Sequence, residues 1–494
     1  MSALPKGWAE VELGEVFRGN RRSSVVPAKE PHRRFELYSV PSFETGAPER
    51  LYGSEIGSSK QEVAPGSVLL CRINPRINRV WVVGEAGSDP QIASTEWVSL
   101  PRVAGVTPRF AMQALRTPQV RRHLTSSVSG VGGSLMRVRM DALWRTKIRL
   151  APLPEQHRIV AKIESLFARL DEGVAALKRA EANLERYRAS VLKAAVEGRL
   201  TQQWRTENPP EETGEELLAR IQSPPRPARY RTRFKGLIVG HPALSVGATG
   251  SSLPDAWSWT RLIDVARLES GHTPSRRRPD WWDGDVPWIG IKDARAHHGG
   301  TIFETLQMTN EAGLANSAAR LLPSGTVCLS RTASVGYVVM LGRPMATSQD
   351  FVNWICTEAL DPRWLQIVFL ADPTALRRFG KGSTHTTVYF PEVLSLHVAV
   401  PPLAEQRAIV AEVDARLSEA AEHEDLVRDA LQRSSILRQS ILKRAFEGRL
   451  VSQDPTDEPA SVLLDRIRAE RATERNRKKH RPAKPRSRQR SRVP

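Results

Sequence analysis

PLPEQHRIVA (residues 152–161) and PLAEQRAIVA (residues 402–411) are two copies of one motif, and the sequence following each copy is duplicated as well. SVLKAAVEGRL closes the first block at residues 190–200, and SILKRAFEGRL closes the second at 440–450. The two 49-residue blocks align without a gap at an offset of 250, with 18 identities. Chance would give roughly three, if a typical residue makes up about 5–7% of a chain. A period of that size is too long for a solenoid and implies two domain-sized halves with an internal pseudo-two-fold.

Each block reads as one long helix. Ile159, Ile163, Leu166, Leu170, Val174, Leu177, Leu184, Tyr187 and Val191 follow steps of three and four. Ile409, Val413, Leu417, Val427, Leu431, Leu437 and Ile441 do the same, with a polar interruption at His423 and Glu424. Pro154 suits a first turn. Gly198 and Gly448 suit the left-handed residue that ends a helix. An apolar seam along ~40 helical residues, ~60 Å at 1.5 Å each, outreaches a small domain and needs a partner. The other copy is the simplest one, which predicts an antiparallel coiled coil.

The repeat extends outward. LPKGW (4–8) matches LPDAW (253–257), Leu13 and Val16 match Leu262 and Val265, and EELLARI (215–221) is echoed by SVLLDRI (461–467). Residues 1–150 and 253–399 carry short β-rich runs such as SVLLCRI and TVCLSRT between Gly, Pro and Asn, as α+β globular domains do. The predicted order is a globular domain (1–150), a helical spacer (151–204), a linker with a short helix (205–252), a second globular domain (253–399), a second spacer (400–452), and a short helix with a disordered basic tail (453–494).

Composition narrows the function classes. Hydrophobic residues at 40% support real cores, and Cys71, Cys328 and Cys356 stand too far apart for a disulfide framework or a metal site. No apolar run is long enough for a membrane span and the N-terminus shows no secretory pattern, so a cytoplasmic protein is expected. The net charge of +19 is concentrated: Arg466 to Pro494 contributes +11, leaving +8 for the rest. Such a tail can bind phosphate or merely be solvated.

The duplicated Pro152-Leu153/Glu155-Gln156 and Pro402-Leu403/Glu405-Gln406, each followed two residues later by Ile-Val, resemble the specificity subunits of type I restriction–modification enzymes. The second globular domain also resembles that family's recognition domains in GHTP (271–274), WWDGDVPWI (281–289), Asp293, LSRTASVG (329–336), ATSQDF (346–351) and GKGSTHTTV (380–388). The first departs from it, having neither GxTP nor WxGxxPWI, although PGSVLLCRINP (65–75) can stand beside PSGTVCLSR (323–331). The resemblance implies a non-catalytic chain whose two domains each read half of a split, asymmetric double-stranded DNA target. Its partners would be modification (methyltransferase) subunits, two of them, and ATP-dependent restriction subunits. S-adenosylmethionine, ATP and Mg2+ would belong to those partners.

Residue types give candidates for these roles. Arg72, Arg76, Arg137, Arg139, Lys292, Arg331, Arg343 and Lys381 fall in or beside predicted loops, where side chains can reach bases or phosphates. Glu155, Gln156, Ile159, Ile163, Leu170, Glu405, Gln406, Ile409 and Val413 are candidates for the spacer and for docking partner subunits. Trp281, Trp282 and Trp288 read as local core rather than stacking platforms. A chain that methylates or cuts by itself is the rival reading. Asn208-Pro209-Pro210 resembles a methyltransferase motif, but Glu211 replaces the aromatic that would stack on a flipped base. Pro279-Asp280 lacks the second downstream carboxylate of a metal-dependent nuclease at Gly290-Ile291-Lys292. No Gly-x4-Gly-Lys-Ser/Thr loop occurs.

Overall fold

The computed structural model describes residues 4–18, 23–129, 136–225, 234–382 and 386–479. They divide into two compact units, Met1–Leu177 with Asp429–Pro494, and Lys178–Arg428. Each unit therefore holds one globular domain and half of each long helix.

Both duplicated blocks form single helices of 44 residues, Leu153–Val196 and Leu403–Phe446, each ~66 Å long at 1.5 Å per residue. Within each unit the two half-helices run antiparallel. In unit 1, Ile159 and Ile163 share a core with Ile441, Leu442 and Phe446. Further along, Arg438 bonds Asp171 and lies 4.6 Å over the Phe167 ring. In unit 2, Val191 and Val196 share a core with Ile409 and Val413, and Arg188 pairs with Glu424 at 2.9 Å. The polar interruption of the second copy is thus an ion pair across the coil. Tyr187 and Leu437 leave the predicted seam: they occupy equivalent positions and are 38% and 49% exposed. Steps of three and four admit them, but the contact stripe of a two-stranded coil is narrower than a globular helix face.

The two helices also end alike. Gly198 and Gly448 have φ of +67° and +68°, and the N–H groups of Arg199 and Arg449 reach back to the carbonyls of Ala194 and Arg444 at 3.0 and 2.9 Å. A Cβ on Gly448 would meet Pro5 at 2.5 Å, and one on Gly198 would meet Pro254 at 2.5 Å. Glycine is required twice over, for the left-handed turn and for close approach of the LPxxW segment.

In unit 1, Ala9–Glu12 pairs antiparallel with Lys147–Leu150 beside the long helices. Beyond them stand a five-stranded mixed sheet around Arg34–Tyr38 and Gln91–Ala93, and a three-stranded sheet centred on Val68–Cys71. Unit 2 repeats the plan with a sheet containing Ser258–Arg261 and Leu396–Val400, a five-stranded sheet around Val327–Ser330 and Phe351–Cys356, and a three-stranded sheet centred on Val286–Ile289. The class is α+β, as the residue pattern predicts.

Two expectations are corrected. The segment read as a linker, Pro224 to Ser252, contributes the strands Ile238–His241 and Leu244–Val246 to the second domain's sheet. Residues 226–233 of it lie outside the described residues. Gly240 and Pro242 disguise these short strands as loop, yet Leu244 and Val246 are fully buried. The final helix, Ala460–Lys479, also runs well past the expected short one. Its Arg471 donates to the carbonyls of Gly14, Glu15 and Val16, which cap the helix Leu13–Phe17, and Arg468 pairs with Glu15 at 3.2 Å. The first part of the basic tail is therefore folded onto its own domain. Residues 480–494 lie outside the described residues.

Candidate nucleic-acid interface

In the first domain the four candidate cations lie on two segments tied to each other. The loop after Val68–Cys71 turns through Asn74 and Asn78, both at φ +53°, a conformation asparagine tolerates better than other non-glycine residues. Its backbone is pinned to the strand Arg137–Val138 by Asn74 N–H to the Met136 carbonyl and Val138 N–H to the Arg72 carbonyl, each 2.9 Å. Arg72 and Arg137 then converge on Glu96, at 3.1 and 2.8 Å. The Arg137 guanidinium, with Arg72 close by, holds the Glu96 carboxyl below its usual value against the opposing effect of burial. Glu96 thus orients two guanidinium groups while cancelling one of their two charges. Arg139 follows two residues after Arg137, exposed at the start of the helix Met140–Trp144, and Arg76 is exposed on the loop.

The second domain gathers only part of its predicted set. Lys292 is exposed on a cleft of about 720 Å3 that also holds Thr273, Arg276, Gln307, Gln349 and Asp350. Arg276 lies 3.8 Å over the Trp282 ring and 4.9 Å over Trp288, and donates to the Gln307 side chain at 2.9 Å. Gln349 accepts from Thr273. This cluster mixes fixed cations with amides, the side chains that read phosphates and base edges. Residue type and loop position in the sequence do not single out Arg276, Gln307 and Gln349. The run Arg276-Arg277-Arg278 just after GHTP was the available signal. Asp293 is a cap, its carboxylate accepting from the N–H groups of Gly290 and Leu306 at 2.9 and 2.8 Å.

Arg331 and Lys381 belong to a neighbouring edge. Arg331 stacks 4.7 Å over Phe390, and its backbone N–H bonds the Asp350 carbonyl at 2.8 Å. Lys381 pairs with the buried Glu392 at 2.9 Å. Arg343 stands apart: it follows Val338–Leu341, which runs antiparallel to Val327–Ser330, so it sits at the opposite end of that hairpin from Arg331. Trp288 is 4% exposed and belongs to the core. Trp281 and Trp282 are only half-buried and carry Arg278 and Arg276 on their faces.

The PLxEQ residues have a different role from docking. Glu405 accepts from Trp257 Nε1 at 2.9 Å, Thr201 Oγ1 at 2.8 Å and Arg205 at 2.8 Å. Glu155 accepts from Trp8 Nε1 at 3.0 Å. Gln156 takes the Thr107 N–H and donates to the Gly105 and Ala151 carbonyls, all at 3.0 Å. Gln406 does the same with Asp361, Ala359 and Pro401. Together with Ile159, Ile163, Ile409 and Val413 these residues are at most 1% exposed. They fasten each helix to its own domain, and a partner subunit cannot touch them. Leu170, half-buried against the unit 1 core, is the remaining candidate of that group.

Residues 254–422 match the family model described as the type I restriction modification DNA specificity domain. The chain is 26% identical over 369 residues to the EcoKI specificity subunit of Escherichia coli, covering 71% of this chain and 69% of that one. It is 22% identical over 469 residues to the HindI specificity subunit of Haemophilus influenzae, covering 86% and 97%. Similarity to the MjaIX specificity subunit of Methanocaldococcus jannaschii is 23% over 241 residues, covering 48% of this chain and about half, 51%, of that relative. Over residues 254–422 the chain carries the type I restriction modification DNA specificity domain, and the curated relatives it resembles are specificity subunits. The fold of this chain agrees with two solved structures. One is a chain described under complex assembly and conformational transition of the type I R-M system, with TM-score 0.68, 21% identity, and 91% and 100% coverage of the two chains. The other is the HsdS subunit from Thermoanaerobacter tengcongensis, with TM-score 0.50, 22% identity, and 90% and 98% coverage.

The relatives are named as specificity subunits, and the motifs of the rival reading have ordinary local roles in this chain. The Asn208 amide caps its own helix at the Trp204 carbonyl, 2.8 Å away, and Asp280 pairs with Arg278 at 2.7 Å.

Proposed function

We propose that this chain works in the cytoplasm as the reader of a bipartite, asymmetric DNA target, one half-site per globular domain, and brings modification and restriction subunits to it. One observation carries the reading. Two copies of the same frame present different polar surfaces: Arg72, Arg137 and Glu96 with Arg76 and Arg139 in one, and Arg276, Lys292, Gln307 and Gln349 in the other. A symmetric reader would repeat its surface, whereas an asymmetric one repeats only its scaffold. The duplicated frame also supports two modification subunits, one per copy. In this reading S-adenosylmethionine, ATP and Mg2+ are bound by the partners.

Selection of bound sequences from a random DNA pool, using the chain with its modification subunits, tests the proposal. Arg276→Ala with Lys292→Ala should relax one half-site and leave the other unchanged, and Arg137→Ala with Arg139→Ala should do the reverse. Equal relaxation of both halves by either pair would refute the division of labour.

A further inference from the structure

The two units close the same sheet differently. In unit 2 the strand Leu396–Val400 has neighbours on both edges, Ser258–Arg261 on one and Leu244–Val246 on the other. The second edge is zipped by Leu244 opposite Val398 and Val246 opposite Leu396, and by Ala399 N–H to the Ala243 carbonyl at 3.0 Å. The companion strand Ile238–His241 lies against the helices behind. Arg378 of Pro373–Arg378 donates to the Gly240 carbonyl, and His241 Nε2 is 2.7 Å from the Val368 carbonyl.

In unit 1 the counterpart strand Lys147–Leu150 pairs, among the described residues, with Ala9–Glu12 alone, in a two-stranded sheet. The surrounding frame nevertheless corresponds. Gln156 fixes Thr107 ahead of the helix Pro108–Leu115 as Gln406 fixes Asp361 ahead of Pro362–Leu370. A second proline-initiated helix follows each, Pro118–Ser126 and Pro373–Arg378. Where unit 2 seats its hairpin, unit 1 has a groove of about 350 Å3 with Ala114, Val120, Ile148 and Phe446 in its lining. Its lining also holds Arg122, Lys147, Arg149 and Lys443 with the acid Glu447; Lys147 is paired with Glu10 at 3.0 Å, and Arg122 and Lys443, both exposed, keep the rim basic.

We propose that this groove receives an extended strand of a partner protein, paired along the outer edge of Lys147–Leu150, apolar at alternate residues and acidic at its flanks. A strand edge offers a row of backbone donors and acceptors, and pockets for alternate side chains give such pairing its specificity. The same chain already seats a strand with apolar alternate residues, Leu244 and Val246, at the equivalent place. Charge selects among occupants: the basic rim repels this chain's own residues 480–494, which carry six Lys or Arg and no acid. The apolar lining offers nothing to a phosphate backbone.

The test uses the full chain and a fluorescent synthetic peptide with the sequence of residues 242–247 flanked by aspartates. Two control peptides have lysine flanks or N-methylated alternate backbone amides. The aspartate peptide should bind saturably, and Lys443→Glu or Arg122→Glu, each a surface change, should weaken it by about fivefold or more. Neither control peptide should bind. Equal binding of either control, or no effect of both charge reversals, overturns the proposal. So does competition by a short DNA duplex, which would make the rim a phosphate site. Binding that emerges only when residues 480–494 are deleted would assign the groove to the chain's own tail. Self-association that the peptide disperses would assign it to a second copy.

Discussion

The two motif glutamates, equivalent in sequence and equally buried, should respond oppositely to loss of charge. Glu405 accepts three donors, from Trp257, Thr201 and Arg205, and so joins the start of the second helix to the LPxxW segment and to the end of the first helix. Glu405→Ala leaves the Arg205 guanidinium, only 18% exposed, without its carboxylate. Breaking a buried pair of this kind costs about 3–5 kcal/mol. Glu405→Gln keeps an acceptor but loses the charge-assisted part, about 1.5–3 kcal/mol. At ~2–4 °C per kcal/mol for a unit of this size, the alanine variant should melt on the order of ten degrees lower. Glu155 accepts from the neutral donors Trp8 and Gln453, and burial lifts its carboxyl above the ordinary value, against the pull of Trp8 and Arg158. A carboxyl raised in the folded state stabilises fully below the ordinary carboxyl range, and that contribution is lost as pH rises through the folded value. At neutral pH Glu155→Gln therefore removes a charge the fold does not favour, and stability should stay within about 0.5 kcal/mol or rise. Thermal and urea unfolding at neutral pH would measure both. If Glu155→Gln destabilises as much as Glu405→Gln, the assignment of distinct roles to the two carboxylates is wrong.

Arg276→Ala, which removes a cation from two indole faces and from the cleft, should weaken DNA binding by about 1–3 kcal/mol if it reads a base. If it meets only phosphate, it should lower the salt slope by about one, and titrations at several salt concentrations separate the two cases. Deleting residues 480–494 should flatten the salt dependence without changing the melting temperature, because phosphate contacts add counterion release and carry no base information. Truncation after Ile467 should also lower the melting temperature, since it removes Arg468 and Arg471 from the first domain. Exchange of the second domain with a relative's should succeed with boundaries at 238 and 399 and fail to fold with the start at 253, which would strand Leu244–Val246 from its sheet partner; soluble expression and far-UV dichroism report the difference.

What was legible in the sequence follows from how local the determinants are. The long helices could be read because a seam repeating every three or four residues and a terminal glycine are local features. The strands Ile238–His241 and Leu244–Val246 are too short for a periodicity to emerge through Gly240 and Pro242, and only their pairing with residues 396–398 makes them strands. The PLxEQ carboxylates looked like surface docking groups because their partners arrive from far along the chain, Trp8 for Glu155 and Thr201 with Trp257 for Glu405. Residue type and loop position single out the cations, but they cannot reveal that Glu96 holds Arg72 and Arg137 or that Glu392 holds Lys381. Arg276 does not stand out in the sequence because its indole partners, Trp282 and Trp288, read as core there.

The paired helices should also act as a ruler for the gap between half-sites. Each is 44 residues long and ends at an equivalent glycine, and each is fastened at its start by a buried Glu-Gln pair, so its length is fixed at both ends. Four added residues lengthen a helix by ~6 Å, or just over one turn, so the apolar stripe shifts only modestly. Along DNA that is just under two base pairs at ~3.4 Å each. A place between Ala180 and Leu184 suits the insertion, because it falls between the pairs Asp171–Arg438 and Arg188–Glu424 and disturbs neither. Adding four residues to one helix alone leaves the second unmatched, so the cleaner variant adds the same four after Ala180 and after Ala430. The selected target should keep both half-sites and gain one or two base pairs of spacing. Mapping methylated motifs in cells that carry the variant with its modification subunit reads this directly. A folded, active double insertion whose motif keeps its original gap would show that the half-site spacing is set elsewhere than in the coil.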